Sequence, residues 1–67
     1  MRMTIRIQMD NAAFDVTCGS EVARILRDVA ERVDGYNKVG VERNFTSRRL
    51  YDVNGDETGA IKVEAVE

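Results

Sequence analysis

The chain has 67 residues, with 10 Lys and Arg against 12 Asp and Glu, a formal net charge of −2, and no His, Pro or Trp. A chain this short buries only about 60% of the surface that its unfolded form exposes, so a single domain over residues 1–67, one sheet with one helix, is the most it can hold together. At 43% apolar and 33% charged it has a globular composition, and no apolar run approaches the roughly 18 residues that cross a bilayer, so no membrane contact is expected.

Residues 1–9 alternate, with Met1, Met3, Ile5, Ile7 and Met9 on one side and Arg2, Thr4, Arg6 and Gln8 on the other. A period of two predicts a strand with one buried face. Asp10-Asn11 interrupts it with turn-favouring residues, and 10–19 reads as an ordered loop anchored by Phe14 under the edge of the core. Ser20 is placed to cap a helix, with Glu21 complementing the helix dipole. Val22, Ile25, Leu26, Val29 and Val33 then form one stripe, while Arg24, Arg27, Asp28, Glu31 and Arg32 take the opposite face. Arg24 with Asp28, Arg27 with Glu31, and Asp28 with Arg32 have the spacing of helical ion pairs. Gly35 ends the helix, since a glycine there can take the left-handed conformation that closes one.

Residues 36–44 show only Val39 and Val41 alternating with Gly40 and Glu42, and read as a loop. Residues 45–53 look extended, with Phe45, Tyr51 and Val53 on the core side and Leu50 as the misfit. Asn54-Gly55 is a strong turn signal, and 60–66 alternates again with Ile61, Val63 and Ala65 on one face. A two-residue loop at Asn54-Gly55 would set Ile61 and Val63 on the face opposite Tyr51 and Val53, so a longer loop over about 54–58 is predicted. The predicted fold is α+β: strand-helix-strand-strand, one amphipathic helix packed on a three-stranded, mainly antiparallel sheet.

The lone cysteine, Cys18, has no partner for an internal disulfide, and residues 1–4 lack the apolar segment of a signal peptide, so a reducing cytoplasm is the expected compartment. A helix N-terminus can lower a thiol pKa, but no general base, resolving cysteine or basic neighbour is local to Cys18, which reads instead as a small, semi-buried loop residue. Without His, no Ser-His or Cys-His pair exists and no side chain has an unperturbed pKa near neutrality, so catalysis is not expected. Asp52-Val53-Asn54-Gly55-Asp56 opens like a calcium loop, but Glu57 stands where the glycine belongs and Val63 where the bidentate Glu belongs. It reads as a solvated hairpin tip, and no catalytic, cofactor-binding or metal-binding residues are expected.

The charge is unevenly spread. Lys38, Arg43, Arg48 and Arg49 face only Glu42 over residues 38–49, whereas Asp52, Asp56, Glu57, Glu64 and Glu67 face only Lys62 over residues 52–67. Tyr36, Phe45 and Tyr51 interleave with the basic stretch, the ingredients for stacking on bases and pairing with phosphates, while the acidic tail would repel the same backbone. Arg2, Thr4, Arg6 and Gln8 are expected on the uncovered face of the sheet beside Arg48, with Leu50 and Tyr51 as further candidates for it, either simply solvated or as a docking surface rich in Arg and Tyr.

Three segments, Asp10-Asn11-Ala12-Ala13-Phe14, then 21–32, then Leu50-Tyr51-Asp52-Val53-Asn54-Gly55-Asp56 with Gly59, carry a resemblance that covers most of the chain. With them the chain resembles a group of short accessory proteins encoded in bacteriophages and prophages. It departs from that group between Gly35 and Arg49, where the group reaches the hairpin by a shorter path. The resemblance implies a phage protein made in the cytoplasm of an infected or lysogenic bacterial host, with no catalytic residues to carry over. Small non-enzymatic phage proteins include inhibitors of host defence, anti-CRISPR proteins among them, which occupy a surface of a larger complex. The resemblance therefore implies an inhibitor that binds and blocks a host defence complex, a CRISPR effector first, as a monomer or homodimer. Arg2, Arg6, Arg43, Arg48, Arg49 and Tyr51 are the expected contact residues, by charge pairing with an acidic protein surface. The alternatives are a small nucleic-acid-binding regulator using residues 38–49 and a structural module that self-associates at its sheet edges.

Overall fold

A computed structural model describes residues 1–66: strand β1 (Arg2–Ile7), a 3₁₀ turn (Ala12–Phe14), helix α1 (Cys18–Val33), helix α2 (Lys38–Phe45), and strands β2 (Ser47–Tyr51) and β3 (Glu57–Glu64). Glu67, the last residue of the acidic tail, lies outside the described residues. The strands pair antiparallel in the order β1-β3-β2, so the last strand is central and the class is α+β. Among the described residues no helix is long and apolar enough to cross a membrane.

One face of the sheet is covered by α1, and the core gathers Phe14, Ile25, Val29, Phe45, Leu50, Ile61 and Val63. Phe14 anchors the segment after β1 as its apolar isolation predicts, there shaped into a 3₁₀ turn. The stripe of α1 is buried at Ile25 and Val29, half-buried at Val22 and Val33, and 43% exposed at Leu26, which lies at its rim. Gly35, at φ +90°, follows the helix, and Tyr36 N–H closes the turn on the Val33 carbonyl.

Several expectations are corrected. The cap at Ser20 is displaced, because α1 starts at Cys18 and the Glu21 amide bonds Thr17 O at 2.9 Å, leaving Ser20 inside the first turn. The expected loop over 36–44 is largely helix: Asn37 Oδ1 accepts from Gly40 N–H at 2.9 Å, and Val41 and Phe45, four apart, turn inward. The helix thus ends with Phe45, at 0% exposure the most deeply buried residue, rather than a strand beginning there. In the hairpin it is Leu50, 6% exposed, that enters the core, while Tyr51 and Val53 are 51% and 65% exposed.

That parity has a definite origin. The longer loop expected over about 54–58 is replaced by one of three residues, Val53 to Gly55, with Asp52 N–H on Asp56 O at 2.9 Å, Gly55 N–H on Asp52 O at 3.0 Å, and Gly55 at φ +86°. A register shift between Leu50 and Tyr51 then makes Leu50 face Gly59 and Arg48 face Ile61. Below the shift the strands therefore hold the register of the two-residue turn, and Leu50 and Arg48 share the helix-covered face with Ile61 and Val63. A further correction concerns β1, whose apolar face is only partly covered: Met3 and Ile5 are each 37% exposed, and the flanking Met1 and Met9 49% and 53%.

Candidate functional site

Facing residues of an antiparallel ladder share a side of the sheet. On the side away from α1, one row is Arg6, Ala60, Arg49; the next is Thr4, Lys62, Ser47; the last is Arg2, Glu64. Of the expected contact residues, Arg2, Arg6 and Arg49 thus meet on the open face, joined by Lys62. The basic stretch 38–49 does not remain one patch. Arg43 sits in the last turn of α2, and Arg48 points to the helix side with its guanidinium carbon 5.3 Å from the Phe45 ring centroid. Arg48 and Leu50, expected on the open face, are both on the covered one, because the three-residue loop and the register shift reverse the parity of β2.

The open face has a shape as well as a charge. Ala60 and Ser47 are short, and between them and Thr4, Arg6, Thr46 and Lys62 lies a depression of about 410 Å³. Arg49 pairs with Glu57 at 3.2 Å and Lys62 with Glu64 at 3.4 Å, both well exposed to water and therefore weakly held. Among the described residues Arg2 and Arg6 form no ion pair. Lys62 escaped the sequence reading as a contact residue. Its alternation with Ile61 and Val63 marked it as outward, but only the register sets it between the arginines.

A second concavity, about 580 Å³, runs between α1 and β2, with Ile25, Val29, Leu50 and Ile61 at its base and Arg24, Asp28, Arg32, Arg48 and Tyr51 around it. Its helix-side cations are already committed. Arg32 Nε donates to Asp28 Oδ2 at 3.0 Å, and Arg24 donates to Glu21 at 2.6 Å and to the Tyr51 carbonyl at 3.1 Å. Arg24 accordingly takes Glu21, three residues back, in preference to Asp28.

Two buried carboxylates tie the hairpin tip to the start of α1. Glu21, 5% exposed, accepts from Arg24 and, through Oε2, from Val53 N–H at 2.7 Å. The Arg24 guanidinium holds the Glu21 carboxyl below its ordinary value of 4.5, the Val53 amide adding to this and burial opposing it. Asp52, 4% exposed, accepts from Asn54 N–H and Asp56 N–H through Oδ1 and from Asn11 Nδ2 through Oδ2. Burial pushes the Asp52 carboxyl up, but the Asp56 amide, the Asn11 side chain, the Asn54 amide and the charge of Arg24 together hold it below its ordinary 3.8. Asp52-x-Asn54-Gly55-Asp56 is thus a turn organised around its first carboxylate. Cys18, half-buried against the core, donates to the Met9 sulfur at 3.7 Å.

No protein-family model matches this chain, and no curated protein and no solved structure matches it either.

Proposed function

We propose that the protein is a non-enzymatic binding module whose open sheet face docks on an acidic protein surface. The observation that carries this reading is the uncovered basic grid on that face, with Arg6 and Arg49 flanking Ala60 and Lys62 in the adjoining row. A guanidinium takes a carboxylate in two parallel hydrogen bonds, and Arg is among the residue types that dominate interface energies. A carboxylate entering the depression beside Ala60 meets Arg6 and Lys62, and Arg49 is the ladder neighbour of Ala60 on β2. Nucleic acid takes second place. Phe45 is sealed in the core with the Tyr36 ring set edge-on at 5.8 Å, which leaves Tyr51, 51% exposed and two residues after Arg49 on β2, as the one aromatic ring beside the basic grid among the described residues. The open face therefore offers charge with a single stacking ring at its border, short of the succession of aromatic platforms that a single strand stacks on.

The identity of the partner follows from the resemblance to phage accessory proteins: a bacterial defence complex, a CRISPR effector first, met in the cytoplasm of an infected or lysogenic host and inhibited by steric block. The test is phage survival in a bacterium with an active CRISPR system, together with nuclease-treated pull-down, for the parent and for an Arg6→Glu, Arg49→Glu double variant. The expected result is protection of the phage and recovery of effector subunits by the parent only, with the variant folded by circular dichroism. Full activity of the folded variant would sink the reading, and a recovered partner that nuclease removes would transfer the face to nucleic acid.

A further inference from the structure

The two edges of the sheet are finished differently. β2 has a register shift between Leu50 and Tyr51 and has its Tyr51 carbonyl occupied by Arg24. Such features keep a strand edge from pairing with another chain. β1, at the opposite edge, carries two arginines as β2 does, but its ladder runs without a shift from Arg2 to Ile7 and no side chain occupies its outer backbone groups among the described hydrogen bonds. Along it Met3 and Ile5 are each 37% exposed, and α1 does not seal them: its Arg24 and Asp28 flank borders β2, and Leu26, on the other flank, is 43% exposed.

The hydrogen-bond phase of β1 is set by Gln8 N–H donating to Thr58 O at 2.7 Å. In an antiparallel ladder the bonding direction alternates, so Arg2, Thr4 and Arg6 bond to β3 and the backbone groups of Met3, Ile5 and Ile7 point outward. We propose that this edge pairs antiparallel with β1 of a second copy about a two-fold axis at Ile5, giving one continuous sheet with three strands from each copy.

The strand's own residues select that register. Pairing through outward groups sets odd residues against odd ones. With Ile5 against Ile5 of the second copy, Met3 meets Ile7 on the apolar side, while Thr4 meets Arg6 and Arg2 meets Gln8 on the polar side. Sliding by two residues one way sets Arg2 against Arg6, and sliding the other way sets Arg6 against Arg6, like charges directly opposed and destabilising. The Ile5-centred register keeps every apolar residue facing an apolar one and no arginine facing an arginine. It also joins the exposed Met3 and Ile5 of the two copies and doubles the row of arginines on the open face. None of this depends on what that face binds.

The experiment is sedimentation or light scattering over a concentration series, with two substitutions at Thr4, an exposed side chain outside the core. Thr4→Glu sets opposite charges across the two-fold twice and is expected to lower the dimer dissociation constant, whereas Thr4→Arg is expected to raise it. Each shift is about 2- to 30-fold, from two cross-strand pairs of ordinary strength. Ile5→Pro removes an outward N–H without touching the ladder to β3, and is expected to give a folded monomer. A parent that stays monomeric to millimolar concentration overturns the proposal. So does a dimer that ignores both Thr4 substitutions, because its contact must then lie elsewhere; these outcomes are independent of the partner assay above.

Discussion

Gly59 separates two ways of estimating stability, because they disagree in sign. In a strand interior glycine is worse than alanine by about 0.5–1 kcal/mol, so backbone entropy alone makes Gly59→Ala stabilising. Gly59 lies in the central strand between Ile7 and Leu50, where β1 passes very close. A Cβ at Gly59 would stand 1.8 Å from the Arg6 carbonyl oxygen, 2.8 Å from its carbonyl carbon and 3.1 Å from Ile7 Cα, where ordinary contact begins at 3.4 Å. Every one of these atoms is backbone, so no side chain can swing away. β1 must move off by more than an ångström, beyond the range of the bonds around Arg6, Ala60, Gln8 and Thr58. Losing about four such bonds at roughly 1 kcal/mol each, offset by the alanine gain, leaves a net loss of about 3 kcal/mol. That is a large part of the roughly 3–10 kcal/mol available to a domain of this length, and corresponds to a fall in Tm of about 10–25 °C. Thermal and urea denaturation followed by circular dichroism measure it, and amide exchange at Gln8 and Ala60 locates it. A variant melting at or above the parent would refute the steric argument and leave the entropic one standing.

The remaining predictions concern parity and pH. Leu50→Ala is expected to cost about 2–4 kcal/mol and Tyr51→Ala less than about 1 kcal/mol, read from urea midpoints; the reverse order would restore the parity expected from the sequence. Acid should destabilise the fold through Glu21 and Asp52, whose carboxyls lie below their ordinary values of 4.5 and 3.8 in the folded chain. The unfolded chain then takes up protons first. Their contribution is complete above those ordinary values and is lost as pH falls through the lower, folded ones. The urea midpoint should fall between pH 5 and pH 3, and less so in Glu21→Gln with Asp52→Asn; an equal slope in parent and variant would assign acid sensitivity to other carboxylates.

Elements with a strong local period are legible in the sequence. β1 follows from the alternation of residues 1–9, α1 from the stripe Val22 to Val33, and β3 from Ile61, Lys62 and Val63, because each pattern lies within one element. α2 was not legible. Val39 and Gly40 blur its period, and its burial rests on Phe45 reaching the core and on Tyr36 closing over Phe45. The available signal was Asn37 three residues ahead of Gly40, with Val41 and Phe45 four apart.

The candidate face divides the same way. Arg2 and Arg6 were placed together by alternation alone, since a strand reverses its side chain at every residue. Whether Arg48 or Arg49 joins them depends on one extra residue at the hairpin, and apolar Leu50 beside aromatic Tyr51 suits either answer. Lys62 enters the site only through its register with Thr4 and Ser47. Composition and local periodicity determined the class, the strands at the two ends of the chain and the long helix, because each depends on residues near one another in sequence. The strand order, the parity of β2, the second helix and the contrast between the two sheet edges depend on contacts between distant residues, and only the tertiary structure decided them.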